Sequence, residues 1–195
     1  MKQTRIISGA LLLSGLFLFA CKDEAKNADS EKVANEANDA KIETNTFEKD
    51  AEALVKLSSQ DQYLVTASDF AVKNANQAQV KKLALAIASD HNSLKSELKS
   101  LAEKRNYNIP DSMSNNYIAD TEDMKKWKKG KEFDSKFVDE VIDEHEKAIK
   151  IMEDCVKDTK DSDLKSLCEK ALPTLRSHLE ESKKVKEEID AVYKS

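Results

Sequence analysis

Glycine and proline are nearly absent from this chain beyond its first twenty residues. Of 195 residues only 3 are glycine and 2 are proline, and Gly9 and Gly15 belong to the first twenty. Gly130, Pro110 and Pro173 are what remains for tight turns. Sandwiches and barrels need a turn signal about every 8–12 residues, and phosphate-binding loops need several glycines. The sequence therefore predicts an all-α fold in one domain and argues against most nucleotide-binding enzymes.

The charge balance argues against nucleic acid as a partner. The chain carries 32 Lys and Arg against 37 Asp and Glu, which gives a formal net charge of −5 and a pI near 5.4. A surface that binds phosphate backbones needs clustered basic residues. The dense basic run around Trp127, at residues 125–131, is interpreted as a solvated surface.

The first twenty residues predict a lipoprotein leader. Lys2 and Arg5 precede a largely apolar run over 6–20, which is too short to span a bilayer, where about 20 residues are needed, and is typical of a secretory signal. The run ends in Leu-Phe-Ala before Cys21, which resembles a bacterial lipobox. We expect residues 1–20 to be removed and Cys21 to be acylated, so that the chain is anchored to the outer membrane. An ordinary cleavable signal with an incidental cysteine is the alternative.

Residues 21–46 are interpreted as a lipidated flexible tether. This stretch has no aromatic residue and almost no large apolar one. Such a segment cannot bury enough surface to offset the entropy lost on ordering. The folded domain is expected to occupy residues 47–195.

From Phe47 onward, apolar residues recur at spacings of three and four, which predicts amphipathic helices. The first helix has the least regular pattern. It is expected to end at a turn near 74–77, with Asn74 as a left-handed C-cap and Asn76 as the N-cap of the second helix. The second helix is expected to end within 106–110.

A long connection separates the second helix from the third, and a short helix near 120–128 is expected to cover one end of the fold. Asp134 is predicted as the N-cap of the third helix, and Asp161 or Ser162 as the N-cap of the fourth. Pro173 removes a helical hydrogen bond, so the fourth helix is expected to kink or restart there. Together the four long helices predict an up-down four-helix bundle.

The three histidines of the chain each fall on the apolar face of a different long helix. They are His91, His145 and His178. At a rise of about 1.5 Å per residue, His145 and His178 differ in height by roughly 3 Å across the turn between their helices. We expect all three rings to meet near the middle of the bundle.

Two interpretations of these histidines remain open. They bind a transition metal such as zinc or copper, with a coordination position left open, or they form a buried polar network. Asp90 precedes His91 and Glu144 precedes His145. Each is either a hydrogen-bond partner of the histidines or a solvated charge. The Glu-x-x-His pattern of di-iron bundles is missing, because the residues three before the histidines are Ala88, Ile142 and Leu175.

Cys155 and Cys168 lie on core faces near the turn between the third and fourth helices. In an exported protein such a pair often oxidises, which predicts a disulfide. Two reduced core cysteines are the alternative. With Cys21 acylated and these two paired, no cysteine remains as a nucleophile.

Three segments carry a resemblance to a known family. They are VKKLALAIASDHNSLKSELKSLAEK (80–104), FDSKFVDEVIDEHEKAI (133–149) and ALPTLRSHLEE (171–181). Together they resemble the family called domain of unknown function 4142, often labelled as outer membrane proteins. The family motifs match Asp90, His91, Phe133, Asp134, His145, Leu172, Pro173 and His178. The resemblance spans about residues 47–190 and implies a ferritin-like four-helix bundle, without implying an activity.

The predicted function is a non-enzymatic binding or structural role in the cell envelope, with membrane contact through Cys21. The first specific hypothesis is a metal or small-ligand site at the three histidines. The second is an interaction module, with an envelope protein as partner at the connection over 106–131. A hydrolytic metalloenzyme ranks third.

Overall fold

The regular structure of this protein is helical wherever it is described. A computed structural model describes residues 28–42 and 45–194, and the predicted leader and Cys21 lie outside these ranges. Six helices are present, which confirms the all-α prediction for this part of the chain. They are α1 (Ser30–Asp39), α2 (Asn45–Asn74), α3 (Ala78–Arg105), α4 (Asn115–Met124), α5 (Lys131–Asp158) and α6 (Ser162–Lys194). Among them, no helix has the length and apolar character needed to cross a membrane.

Four long helices of 28 to 33 residues form a closed ring of contacts. α2 packs along α3 and α5 packs along α6, which makes two helical hairpins with short turns at 75–77 and 159–161. α2 also contacts α5, and α3 contacts α6, which joins the two hairpins. Residues 106–130, which include α4, connect the first hairpin (α2–α3) to the second (α5–α6).

Two apolar clusters make up the core. Cluster 1 lies towards the 75–77 turn and is built around Tyr63, Ile87, Phe133, Phe137, Val141 and Ile189. Cluster 2 lies towards the 159–161 turn and is built around Leu54, Leu98, Met152, Leu164 and Leu175. Between them along the long helices lies a polar layer of buried side chains. Its members are Ser58, Gln60, Asp61, His91, Glu144, His145, His178 and Ser182.

The segment predicted as a flexible tether contains a helix that packs on the fold. α1 contacts α2, and the Asp29 carboxylate caps it by accepting from the N–H groups of Glu31 and Lys32. Asn38 donates to the carbonyl of Asn108 at 2.9 Å and accepts from its N–H at 2.7 Å. Polar contacts to a distant segment hold this helix, so its apolar content did not predict it.

The connection between the hairpins contains the predicted short helix, but at 115–124 rather than 120–128. The N–H of Ser114, just before α4, donates to the hydroxyl of Ser59 on α2 at 2.9 Å. Met124 at the end of α4 is buried in cluster 1, and Trp127 packs against this cluster. α4 therefore begins earlier in the sequence than predicted, next to the residue that α2 holds.

Asp134 does cap a helix, but not the one predicted. It is the fourth residue of α5, whose N-cap is Gly130 at a φ of 89°. Its carboxylate accepts from the N–H groups of Asn76 (2.8 Å) and Gln77 (2.9 Å) and from the hydroxyl of Tyr193 (2.7 Å). Gln77, not Asn76, is the N-cap of α3 and makes no side-chain cap bond, so Asp134 takes that role from the other hairpin.

The remaining helix ends divide between correct and wrong predictions. Asp161 precedes α6 and accepts from the N–H groups two and three residues later, as predicted for an N-cap. α6 continues through Pro173 without a restart. Asn74 belongs to α2 and donates to the carbonyl of Phe70, whereas the left-handed C-cap is Asn106, after α3.

Cys155 and Cys168 are buried thiols in contact across the second hairpin. Their sulfur atoms lie 2.9 Å apart, with Cys168 donating. This hydrogen bond, together with burial, raises the pKa of the Cys155 thiol, which disfavours a reactive thiolate. A small shift would bring the two sulfurs to the S–S bond length of about 2.05 Å. The disulfide stays a prediction.

Asp134→Ala is expected to lower the free energy of unfolding by about 2 kcal/mol, because three donors lose a charged acceptor. Urea denaturation followed by circular dichroism measures this change. Asp139→Ala is the matched control, since Asp139 is exposed on the same helix and pairs with Lys186 at the surface. Its loss is expected to stay below about 0.5 kcal/mol. Equal losses in both variants would contradict the capping role.

Protein isolated from an oxidising compartment is expected to carry a disulfide between Cys155 and Cys168. Alkylation before and after reduction, read by mass spectrometry, detects it. Reduction should lower the free energy of unfolding by about 2–3 kcal/mol, as expected for a short closed loop. A variant with both cysteines changed to alanine should not respond to reductant. Two alkylated thiols without reduction would rule the bridge out.

Candidate metal centre

The structure brings the three predicted histidines together inside the polar layer. His91 comes from α3, His145 from α5 and His178 from α6, and each is at most 7% exposed. The Nε2 atom of His145 lies 3.3 Å from Nε2 of His91 and 3.2 Å from Nδ1 of His178. These three nitrogens all lie within 4.8 Å of one another. Each ring therefore turns one nitrogen towards a common point.

The other nitrogen of each ring faces an acceptor. Nδ1 of His91 lies 2.7 Å from the carboxylate of Asp61. Nδ1 of His145 lies 2.7 Å from the carbonyl of Val141, one turn earlier on α5. Nε2 of His178 lies 3.0 Å from the carboxylate of Asp90. We call the nitrogen that faces the other two rings the inner nitrogen, and the one that faces its acceptor the outer nitrogen. An acceptor at the outer nitrogen fixes the orientation of a histidine and leaves the inner nitrogen free to bind a metal.

The carbonyl of Val141 can only accept a hydrogen bond, so the proton of neutral His145 is on Nδ1. The inner nitrogen of His145 therefore carries a lone pair. If Asp61 is ionised, His91 donates to it and presents a second lone pair. If Asp61 is protonated, it donates to His91, whose inner N–H then donates to His145. When His178 also donates to Asp90, its inner lone pair faces that of His145 at 3.2 Å. Neutral rings that keep all three outer hydrogen bonds therefore leave this contact unsatisfied.

Protonation of His145 or His178 would give this contact a hydrogen, but it is unfavourable. Burial and the neighbouring rings lower the pKa of His145 to about 3. Burial, followed by the proximity of His91, also lowers the pKa of His178, against the opposing effect of Asp90. A metal cation satisfies converging lone pairs without protonating a ring, because imidazole binds transition metals in its neutral form.

Two of the three separations between the converging nitrogens fit a tetrahedral metal. Zinc–nitrogen bonds of about 2.0–2.1 Å at tetrahedral angles place neighbouring nitrogens about 3.3–3.4 Å apart. The nitrogen of His145 lies 3.3 Å from that of His91 and 3.2 Å from that of His178, and the third pair lies within 4.8 Å. Three imidazoles without a sulfur ligand suit zinc or copper.

Asp61 is a site residue that the sequence analysis missed. It lies on α2, is 3% exposed, and its Oδ2 atom has no hydrogen-bond partner in the described structure. Burial raises the pKa of Asp61, while the hydrogen bond and charge of His91 oppose the shift. A cation among the rings would compensate the charge of this carboxylate. The spacing of four and three from Leu54 through Ser58 to Asp61 places it on the core face, and this was the available signal.

The two acidic neighbours of the histidines have different roles. Asp90 is half-exposed and holds His178. Glu144 is 2% exposed and turns away from the rings, because its carboxylate accepts from Tyr117 (2.6 Å), Gln60 (2.6 Å) and Lys147 (2.6 Å). Glu144 thus links α2, α4 and α5 beside the site rather than supplying a metal ligand.

Comparison with known proteins identifies the family. The sequence profile described as "Domain of unknown function (DUF4142)" matches residues 23–185. The chain belongs to the DUF4142 family. This match confirms the resemblance noted in the sequence and extends it through α1. Among curated proteins, none matches this DUF4142 chain significantly.

Two solved structures share the fold of this DUF4142 protein. A DUF305 fragment from Deinococcus radiodurans superposes with a TM-score of 0.63 at 11% identity, over 72% of this chain and 96% of the fragment. A conserved hypothetical protein from Mycobacterium tuberculosis gives a TM-score of 0.51 at 12% identity, over 80% of this chain and 93% of that one. At these identities the likeness concerns the fold alone.

In the metal-free protein, His145 is expected to stay neutral with its proton on Nδ1 from about pH 8 down to about pH 5, because its pKa is lowered to about 3. Long-range ¹H–¹⁵N spectra of the imidazoles across this range measure both properties. The same histidine in urea-unfolded protein is the control and should titrate near 6.5.

The sign of the linked stability change follows from this difference. Between pH 6.5 and 3 the unfolded chain binds a proton at His145 that the folded chain does not, so this residue lowers stability as pH falls through that window. Titration of folded His145 near pH 6.5 would contradict the assignment.

Proposed function

We propose that this protein binds a transition metal, zinc or copper, in the cell envelope through His91, His145 and His178. The observation that carries the proposal is the convergence of three imidazole nitrogens whose rings are held from behind by Asp61, Val141 and Asp90. Hydrogen bonds of this kind are the usual support of histidine ligands.

A purely structural histidine network has less support. It would have to leave the 3.2 Å contact between His145 and His178 without a hydrogen, give up the bond from His178 to Asp90, or add a proton that burial disfavours. Buried polar groups are normally satisfied. A cation at the centre of the rings satisfies the converging nitrogens with all three outer hydrogen bonds kept.

The four long helices are inferred to form an up-down, ferritin-like four-helix bundle, with the metal held between facing helices. The two hairpins and the closed ring of helix contacts support this architecture. The site lacks the paired carboxylates of oxygen-activating di-iron bundles, which argues against oxygen activation of that kind.

The envelope location rests on the sequence of the first residues. The apolar run ending at Cys21 supports export, acylation and anchoring in the outer membrane. In this proposal, the protein presents a buried metal site near the membrane to which its lipid attaches it.

Metal content tests the proposed function. The full chain is purified from an export compartment without chelator or affinity histidines, and zinc, copper, iron and manganese are quantified by elemental mass spectrometry. We expect close to one zinc or copper ion per chain, with nitrogen ligands detected by X-ray absorption. The triple variant His91→Ala, His145→Ala, His178→Ala should contain none. Metal-free protein that also takes up neither ion on titration would contradict the proposal.

The Asp61→Asn variant separates a metal site from a structural network. Loss of an outer partner of a ligand typically lowers metal affinity about 10–100-fold, so Asp61→Asn should bind one metal ion more weakly. Asp139→Asn, at an exposed position, is the matched control and should bind as the parent does. Circular dichroism of each variant verifies the fold. Loss of fold in Asp61→Asn without any change in the metal affinity of the folded fraction would favour the network.

A further inference from the structure

A cleft between α3 and α6 opens onto the converging histidines. Its volume is about 140 Å³, which leaves room for several water molecules. Its walls come entirely from these two helices. The lining includes His91 and His178 together with Ser93, Leu94, Thr174 and Leu175. Two of the three histidines therefore line a surface cleft.

The exposure of the three rings shows on which side the site is open. His145 is fully buried and does not line the cleft, whereas His178, at 7%, is the most exposed of the three. On the opposite side, α2 and α5 close the site with Asp61 and with the backbone of Val141. The α3–α6 side is therefore the side on which the rings lie nearest to solvent.

Protein groups do not fill the fourth position of a tetrahedral metal here. Within the described residues, the group of side chains able to hold a metal has three members. The carboxylates of Asp61 and Asp90 are engaged at the outer nitrogens, on the far side of their rings from the converging atoms. Sites with three protein ligands keep a position for water or another ligand, in contrast to closed structural sites with four.

We propose that the metal keeps its fourth coordination position open to the α3–α6 cleft, where it binds water or a small nitrogen- or oxygen-donor ligand. This inference rests on the proposed function, because it needs a metal at the histidines. The mouth of the cleft is polar, with Thr174 on α6 and an ion pair of 2.7 Å between Lys170 and Glu97. Leu94 and Leu175 line the buried part of the cleft, and its volume of about 140 Å³ admits a small ligand.

Azide is the probe that tests this inference. The full chain is loaded with Cu(II), and azide is titrated while the ligand-to-metal absorption band and the electron paramagnetic resonance spectrum are followed. We expect saturable binding of one azide per metal ion. In Thr174→Phe the new ring fills the cleft, and the azide dissociation constant should rise at least about tenfold, with the copper content unchanged.

Ser177→Phe is the matched control, because Ser177 is exposed on the same helix but does not line the cleft. It should bind azide as the parent does. If Thr174→Phe misfolds, Ser93→Phe blocks the cleft from α3 instead. Removal of copper by a chelator should also be slower in the blocked variant than in the control, since metal and ligand share the opening.

The outcomes separate the two proposals. A copper-loaded parent that does not respond to azide, or blocked variants that bind azide as tightly as the parent, would overturn the open position and leave the metal site standing. A parent chain that takes up neither copper nor zinc would overturn both proposals.

Discussion

Hydrogen bonds at the outer nitrogens of three buried imidazoles organise this structure. Asp61 on α2 holds His91 on α3, while His145 on α5 and His178 on α6 meet it from the second hairpin. The polar layer thus has a member on every long helix. A one-turn shift of α2, α3 or α6 would break the bond between Asp61 and His91 or the bond between Asp90 and His178. A shift of α5 would break the bonds between Gln60 and Glu144. The layer therefore fixes the register of the four long helices.

The polar layer is expensive for a protein of this size. A large apolar side chain contributes about 1.5–3 kcal/mol when buried, and apolar residues at the histidine positions would merge clusters 1 and 2 into one continuous core. The fold instead keeps three buried rings, and neutral rings that keep their outer hydrogen bonds leave the contact between His145 and His178 unsatisfied. The loss of apolar burial at these positions indicates that the histidine cluster has a function.

Periodicity predicted the features that depend on burial, and it failed for those that depend on distant contacts. The spacing of three and four located His145 and His178 because only residues on the core face can meet in a bundle. Asp61 lies on the same kind of face but is hidden in a polar run of α2. α1 has little apolar surface and is held by Asn108, 70 positions from Asn38. Composition carries no information about a hydrogen bond of that separation.

The division into two hairpins has a kinetic consequence. Each hairpin is built from contacts between neighbouring helices, and local contacts form sooner than those that must close a long loop. His145 and His178 share the second hairpin, so all three imidazoles meet only when the first hairpin brings His91 to them. A cation in the layer would therefore stabilise contacts that are absent from an early transition state, so it would slow unfolding with little effect on the folding rate. Metal supply would then set the lifetime of the docked state.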